Sequence, residues 1–356
     1  ALAALFSSTA SAAEATWTGT GYNDIVSDAA HWGGILPDLD NGTTTATFVA
    51  PPGGGTSQMF DRDISLYGMK IRINESQKTW SMKGTGTITL GAGGITDITT
   101  VGRYSVVFAP LCFTADCSIA ASGMVQLYIN GPVNCSDPAH PPTLTKTGTK
   151  PLYLQKDASS SSTFTGDFIV SEGYILFYDT VDPLGQTGTI HLNGDAYVNF
   201  SGSGTKTNSS AKNIVVAADS TCDTPFYCGT WPAAPFVQSG AVTNNRTSAS
   251  RIQVGVGAVV DKSCSLIFSG GYVGNGEHLV VLGGTDINRT YVLEFADKPI
   301  VLTGQTIRPH YGTVPEKSGT VIFSAPTNDI ARLGWDNETQ RWHRVDIKFG
   351  CDWAFD

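Results

Sequence analysis

Charge is what this chain has least of. Only 15% of its 356 residues are Asp, Glu, Lys or Arg, and 22 basic residues face 31 acidic ones. A net charge of −9 excludes nucleic acid as a partner, because a phosphate backbone is held by clustered Lys and Arg. The longest basic cluster, Arg341-Trp342-His343-Arg344, is too short to reverse that. Exposed helices carry charge and avoid glycine, so sparse charge beside 40 glycines argues against a helical domain. No segment reaches 18 consecutive apolar residues, and no transmembrane helix is expected. Motifs of chemistry are missing as well. The chain has no G-x-S-x-G elbow, no H-E-x-x-H, no P-loop and no C-x-x-C. No cofactor, no metal and no catalytic residue is assigned.

Short strands and turns fill the space that remains. Residues 144–200 show the pattern best, with strands predicted at 151–154, 168–170, 174–177 and 189–192. Gly148, Gly166, Gly173, Gly185, Gly188 and Gly194 punctuate them. Nothing long enough for a helix intervenes, so each strand must bury its apolar side against copies of the same unit. A small pattern, Gly-x-[Ile/Val]-x-[Leu/Phe], recurs at 86–90, 123–127, 173–177, 188–192 and 319–323. Its glycine permits a tight bend, and its two apolar residues, two apart, point into one core. The alternation extends through 64–74 and 252–323, with unequal loops between coils of roughly 20–30 residues. The expected fold is all-β, a right-handed parallel β-helix (β-solenoid) with an N-terminal cap.

The chain divides along these lines. Residues 1–15, ALAALFSSTASAAEA, read as the tail of a secretory signal peptide, with Ala10-Ser11-Ala12 or Ala13-Glu14-Ala15 as the cleavage site. Residues 16–50 hold Trp17 and Trp32 and read as a cap over the open end of the first coil. Residues 51–356 read as the β-helix. Within it, 203–250 is rich in Ser, Thr, Asn, Ala and Pro and is expected to be a loop-rich insertion with one strand at 213–217. Seven cysteines suit an oxidising compartment. Cys112 with Cys117 and Cys222 with Cys228 are close enough to staple single loops, leaving Cys135, Cys264 and Cys351.

Several of these residues carry a resemblance. Leu144-Thr145-Lys146-Thr147-Gly148, Leu152-Tyr153-Leu154, Thr163-Phe164-Thr165-Gly166 and Val170…Gly173-Tyr174-Ile175-Leu176 together resemble the autotransporter-associated β-strand repeat. Members of that family run LTKxGxGxLxL…TYTGxTxVxxGxLxL. The opening Trp17…Trp32…Pro37…Phe48 resembles the segment that often precedes such repeats in large secreted bacterial proteins. The chain departs from the family at Lys150-Pro151, where Gly-Thr is usual, at Phe164, where Tyr is usual, and in its cysteine content. The resemblance implies a passenger-type parallel β-helix, secreted or on the outer cell surface, and part of a longer protein. It implies no chemistry, because the repeat is a scaffold with no shared catalytic residues.

Polysaccharide lyases and glycosidases also use β-helices, and hydrolysis needs two converging carboxylates. Asp61 and Asp63 lie two apart and share a face, beside the ordinary alternation of Ile64 and Leu66. Glu277-His278, Arg308-Pro309-His310-Tyr311 and Glu338…His343 are the remaining polar clusters, and loop pairs of this kind are solvated more often than catalytic. Of the seven tryptophans, Trp335 and Trp342 in LGWDNETQRWHR form the best candidate patch for stacking on sugars, with burial as the competing role. The sequence thus points to a non-catalytic secreted or cell-surface module, a stalk, adhesin or matrix element whose partners are glycans or a host or matrix surface. The alternative is a polysaccharide-active enzyme or carbohydrate-binding module on the same scaffold.

Overall fold

The computed structural model describes residues 12–19, 24–50, 56–73, 79–102, 104–123, 126–154, 161–201, 208–229, 235–256, 264–274, 278–282, 291–298, 300–302, 305–308, 320–323, 329–330 and 346–349. These residues form strands joined by turns, and one short helical turn, Ala29–Trp32. Every strand pairing among them is parallel. The chain is a β-solenoid. One sheet follows a path of 13 strands from Ala13–Thr18 to Asp329–Ile330, and a second holds 12 strands from Asp24–Ile25 to Gln305–Arg308. At a strand spacing of about 4.8 Å the longer path measures roughly 55–60 Å.

Each coil visits these two sheets and then a third side. Early in the chain the third side and the first sheet share long bent strands, Ile64–Arg72 and Ile88–Asp97. Their first halves stack with Leu111–Phe113 and Val133–Cys135. The bend comes at glycine for a steric reason. A Cβ on Gly68 would lie 2.9 Å from the backbone of Gly93, and Gly94 has φ +57° with room for no Cβ against Ser118. From Asn208–Ser210 onward the third side becomes a separate sheet of six strands.

The predicted alternation holds strand by strand. The expected strands at 151–154, 168–170, 174–177 and 189–192 are observed as Leu152–Leu154, Phe168–Val170, Tyr174–Tyr178 and Thr189–Leu192. Their inward residues stack in register: Leu144 on Phe168, Phe168 on Ile190, Ile190 on Ile214 and Ile214 on Val242. All five are buried, and side chains of this size contribute about 1.5–3 kcal/mol each by leaving water. The Gly-x-[Ile/Val]-x-[Leu/Phe] pattern falls on all three sides, with Ile88/Leu90, Ile175/Phe177 and Ile190/Leu192 all buried. It therefore marks corners of the coil, as the positive φ of Gly173 (+66°) and Gly188 (+85°) requires.

Two expectations change. Residues 208–244 supply five strands where one was expected, and each takes its place in one of the three sheets: Asn208–Ser210, Asn213–Val216, Phe226–Gly229, Phe236–Gln238 and Val242–Asn244. Small polar residues hide them from a hydrophobic-pattern reading, because here Asn208, Ser210, Gln238 and Asn244 occupy the inward positions. The disulfides are also corrected. All six described cysteines are free thiols. Cys112 lies between the buried Leu111 and Phe113 and so points outward, whereas Cys117 packs against the core. Cys228 is buried and meets Cys264, while Cys222 lies in the loop where its carbonyl accepts a hydrogen bond from Arg246. Each expected pair thus straddles a strand wall. Cys351 lies outside the described residues.

The first coil is closed by aromatic side chains. Trp17 is buried and its ring lies 6.3 Å from both Phe48 and Trp80. Trp32 packs edge-on against Phe48 at 5.8 Å, and its Nε1–H donates to the carbonyl of Val26 at 2.8 Å. The helical turn that carries Trp32 is capped by Asp28 and ends at Gly33, which has φ +77°.

Candidate binding surface on the second sheet

Most polar groups within the wall of the coil are occupied in building it. Asp63, Asp116 and Asp167 each stand just before an inward strand residue, and their carboxylates accept from backbone N–H groups of the next coil: Thr87 (2.7 Å), Thr143 (2.7 Å) and Thr189 (2.9 Å). Asn213 repeats the arrangement with Ala241 at 3.0 Å. Asp61, the other half of the candidate acid pair, accepts from the backbone N–H and the hydroxyl of Ser27. Desolvation opposes the charged form of Asp61, yet these hydrogen bonds together hold its pKa below the usual carboxylate value. Neither acid lines the groove on the second sheet or the cavity against the first coil.

Two lysines do the reciprocal task for carbonyls. Lys146 is fully buried, stacked between Ile119 and Val170, and its Nζ donates to the carbonyls of Glu172 (2.6 Å) and Gly148. Lys212 is fully buried too and donates to the carbonyls of Gly166 (2.7 Å) and Thr187, 5.0 Å from the centre of the Phe164 ring. Burial lowers the pKa of both to about 8, against the pull of nearby acids. Asp97 is a buried acid whose carboxylate accepts from the Thr99 N–H at 2.9 Å, and desolvation raises its pKa. It turns a corner of the coil.

The outer side of the second sheet is different. Because strand residues alternate, Tyr104, Tyr128, Tyr153, Tyr174, Tyr197 and Tyr227 all point out of the coil on six successive strands, and Tyr178 joins Tyr174 on the fourth. Tyr128 and Tyr153 sit opposite each other in register, with ring centroids 4.2 Å apart and planes 21° apart. Tyr174 and Tyr197 repeat this at 4.4 Å and 16°. Tyr104 meets Tyr128, and Tyr197 meets Tyr227, at 5.0 Å with tilts of 49° and 59°. The Tyr128 hydroxyl donates to the side-chain oxygen of Gln126 at 2.9 Å, and Tyr153, opposite Leu176, lies diagonal to Tyr174, which joins the two runs. Burial raises the phenol pKa at Tyr153 and Tyr174, the latter to about 12, so both stay neutral at pH 7.

Beside this ladder lies a groove of about 470 Å³, lined by Thr79, Ser81, Tyr104, Tyr128, Asn130 and Tyr153 among others. Its lining carries no Asp, Glu, Lys, Arg or His. A surface of phenols, hydroxyls and an amide can offer hydrogen bonds and apolar contact to an uncharged ligand. It has no carboxylate, imidazole, amine or guanidinium, and its phenols are its only titratable groups. A second cavity of about 690 Å³ opens against the first coil, between Glu14, His31, Trp32 and Ile35. There His31 is held by the Thr18 carbonyl at 3.2 Å and the Trp17 ring at 5.2 Å.

Of the tryptophans, Trp17, Trp32 and Trp80 are buried in the coil, Trp32 at the edge of the second cavity. Trp231, Trp335, Trp342 and Trp353 lie outside the described residues, as do Glu277, Pro309, His310, Tyr311, Glu338 and His343. Among the described residues, no three His, Cys, Asp or Glu side chains gather as metal ligands, and no helix is long and apolar enough to cross a membrane. No family model, curated protein or solved structure matches the chain. The fold defines its class, a parallel β-helix scaffold, and six successive strands of its second sheet carry an outward ladder of tyrosines.

Proposed function

We propose that this chain is a non-catalytic β-helix module of a secreted or cell-surface bacterial protein of the autotransporter-associated repeat kind, serving as a stalk, adhesin or matrix element. One observation carries the reading. Among the described residues, Asp63, Asp116 and Asp167 are tied to backbone amides of the next coil, and Lys146 and Lys212 to carbonyls. What faces solvent on six strands of the second sheet is a ladder of phenols. The leader-like residues 1–15 and the low charge support export.

A second reading has an observation of its own. The uncharged groove at Tyr104, Tyr128 and Asn130 suits a neutral glycan, whose hydroxyls would meet phenol and amide groups while its apolar faces meet ring edges. The ring faces inside each stacked pair are already covered by the partner ring, so Tyr104 and Tyr227 at the ladder's ends offer the better platforms.

The test is a glycan array combined with a lyase and hydrolase screen on the purified full chain. The scaffold reading expects no turnover. Turnover of any polysaccharide would overturn it. Binding of neutral glycans that is lost in Tyr104→Ala would establish the groove as an adhesive surface. Binding that survives Tyr104→Ala would move the site off this flank.

A further inference from the structure

The tyrosine ladder holds a chemical possibility that a stalk does not require. Phenol rings are readily oxidised by one electron. Two tyrosyl radicals formed side by side join through their ortho carbons. On this flank the neighbours are fixed by sheet register, and ring contacts come in two geometries. Tyr128 with Tyr153 and Tyr174 with Tyr197 are directly opposite, with nearly parallel ring planes and centroids 4.2 and 4.4 Å apart. Tyr104 with Tyr128 and Tyr197 with Tyr227 are diagonal neighbours at 5.0 Å, tilted by 49° and 59°.

The rings are half-buried, so solvent can take the phenolic protons and a small oxidant can reach the ring edges. Tyr153 lies opposite Leu176 and so diagonal to Tyr174 on the neighbouring strand, which leaves no break between the two pairs, so an oxidised ring can pass its radical along the ladder to a facing pair. Competing aromatic reductants in the first coils, Trp17 and Trp80, are buried away from solvent.

We infer that Tyr128–Tyr153 and Tyr174–Tyr197 are modification sites, at which a one-electron oxidant couples adjacent coils through dityrosine. The step balances as follows. Each phenol gives up one electron to the oxidant and one proton to water. The two radicals form one carbon–carbon bond between ortho positions, and each ring then moves its ortho hydrogen back to oxygen. The product has lost two hydrogens in all, and two equivalents of oxidant are reduced. Each link is a covalent rung between one coil and the next.

The experiment uses the purified full chain, photo-oxidised with tris(bipyridyl)ruthenium and persulfate, each persulfate ending as two sulfates. Dityrosine fluorescence, the mass of the chain and peptide mapping are read together. The expected product is a monomer, lighter by two hydrogens per link, with links mapped to Tyr128–Tyr153 and Tyr174–Tyr197. In Tyr153→Phe the first link disappears and in Tyr174→Phe the second. The double variant should fall to the signal of the urea-unfolded chain, while circular dichroism shows that these variants keep their strands. Links mapped chiefly to Tyr104–Tyr128 or Tyr197–Tyr227, links chiefly between molecules, or a signal unchanged in the double variant would each overturn the inference.

Discussion

Lys146 occupies a position that packing would give to an aliphatic residue, since Ile119 lies opposite it on one side and Val170 on the other. Its stem fills the stack and its amine ties two turn carbonyls, and Lys212 repeats the device. The cost is electrostatic, and it has a pH signature. Both lysines hold a pKa of about 8 in the folded chain against 10.5 in the unfolded one. Between these values the unfolded state binds more protons, so stability must rise with pH across that window, by at most about 3 kcal/mol per lysine. The buried phenols act the other way. Tyr174 is raised from 10.0 to about 12, so above pH 10 the folded state retains a proton that the unfolded state gives up, and stability falls. The thiols of Cys112, Cys117, Cys222 and Cys228 are raised from 9.0 in the same way, so their contribution falls from about pH 9. Urea unfolding is therefore expected to show greatest stability at about pH 9. Lys146→Met should remove about half of the rise between pH 8 and 9. A stability curve flat from pH 7 to 9 would show that these amines remain charged inside the wall.

At the scale of the element, corners decide the fold more than strands do. Gly188 has φ +85°, and a Cβ there would lie 2.4 Å from the carbonyl oxygen of Gly166 and 2.8 Å from the Lys212 amine. Gly33 has a similar φ of +77° but nothing within 4 Å of the place a Cβ would take. Conformation alone costs about 1–2 kcal/mol in this region. Gly33→Ala should lose no more than that, whereas Gly188→Ala should lose clearly more, because backbone must also move. Thermal or urea unfolding of the two variants measures the difference, and equal losses would mean that the 188 corner yields freely.

Much of this was legible in the chain. Alternation and glycine located the strands of 144–200 within a residue or two, because an inward residue of one coil needs an apolar partner in the next. Where the inward residue is instead Asn208, Gln238 or Asn244, each held by at least one side-chain hydrogen bond, the alternation gives no hydrophobic signal and the strand is missed. The cysteine pairs misled for a related reason. Nearness in sequence says little about which side of a wall a thiol faces. The tyrosine ladder left a trace that strand reading alone passes over: Tyr104, Tyr128, Tyr153, Tyr174 and Tyr197 recur at close to the length of one coil. The groove beside them depends on loops and register and has no comparable trace.

At the scale of the whole molecule, the first strand bears on how the chain would be processed. Ala13–Thr18 pairs residue for residue with Thr44–Val49 and carries Trp17 into the cap. Removal of a leader after Ala12 would leave this strand whole, whereas removal after Ala15 would delete half of it. If the chain is exported as proposed, N-terminal sequencing of the mature protein is expected to begin at Ala13. A start at Thr16 would show that the first coil holds without its leading three residues, and that Trp17 anchors it.

The parallel register has a mechanical consequence. Each strand bonds only to the coil before it and the coil after it, so the backbone hydrogen bonds lie along the length of the stack. Tension pulling its two ends apart would open those bonds a rung at a time, as a zipper opens, and not load a whole strand's bonds at once in shear. The chain would then yield at low force and lengthen in small steps of one coil each, and a covalent rung within the tyrosine ladder would halt the unwinding where it stands.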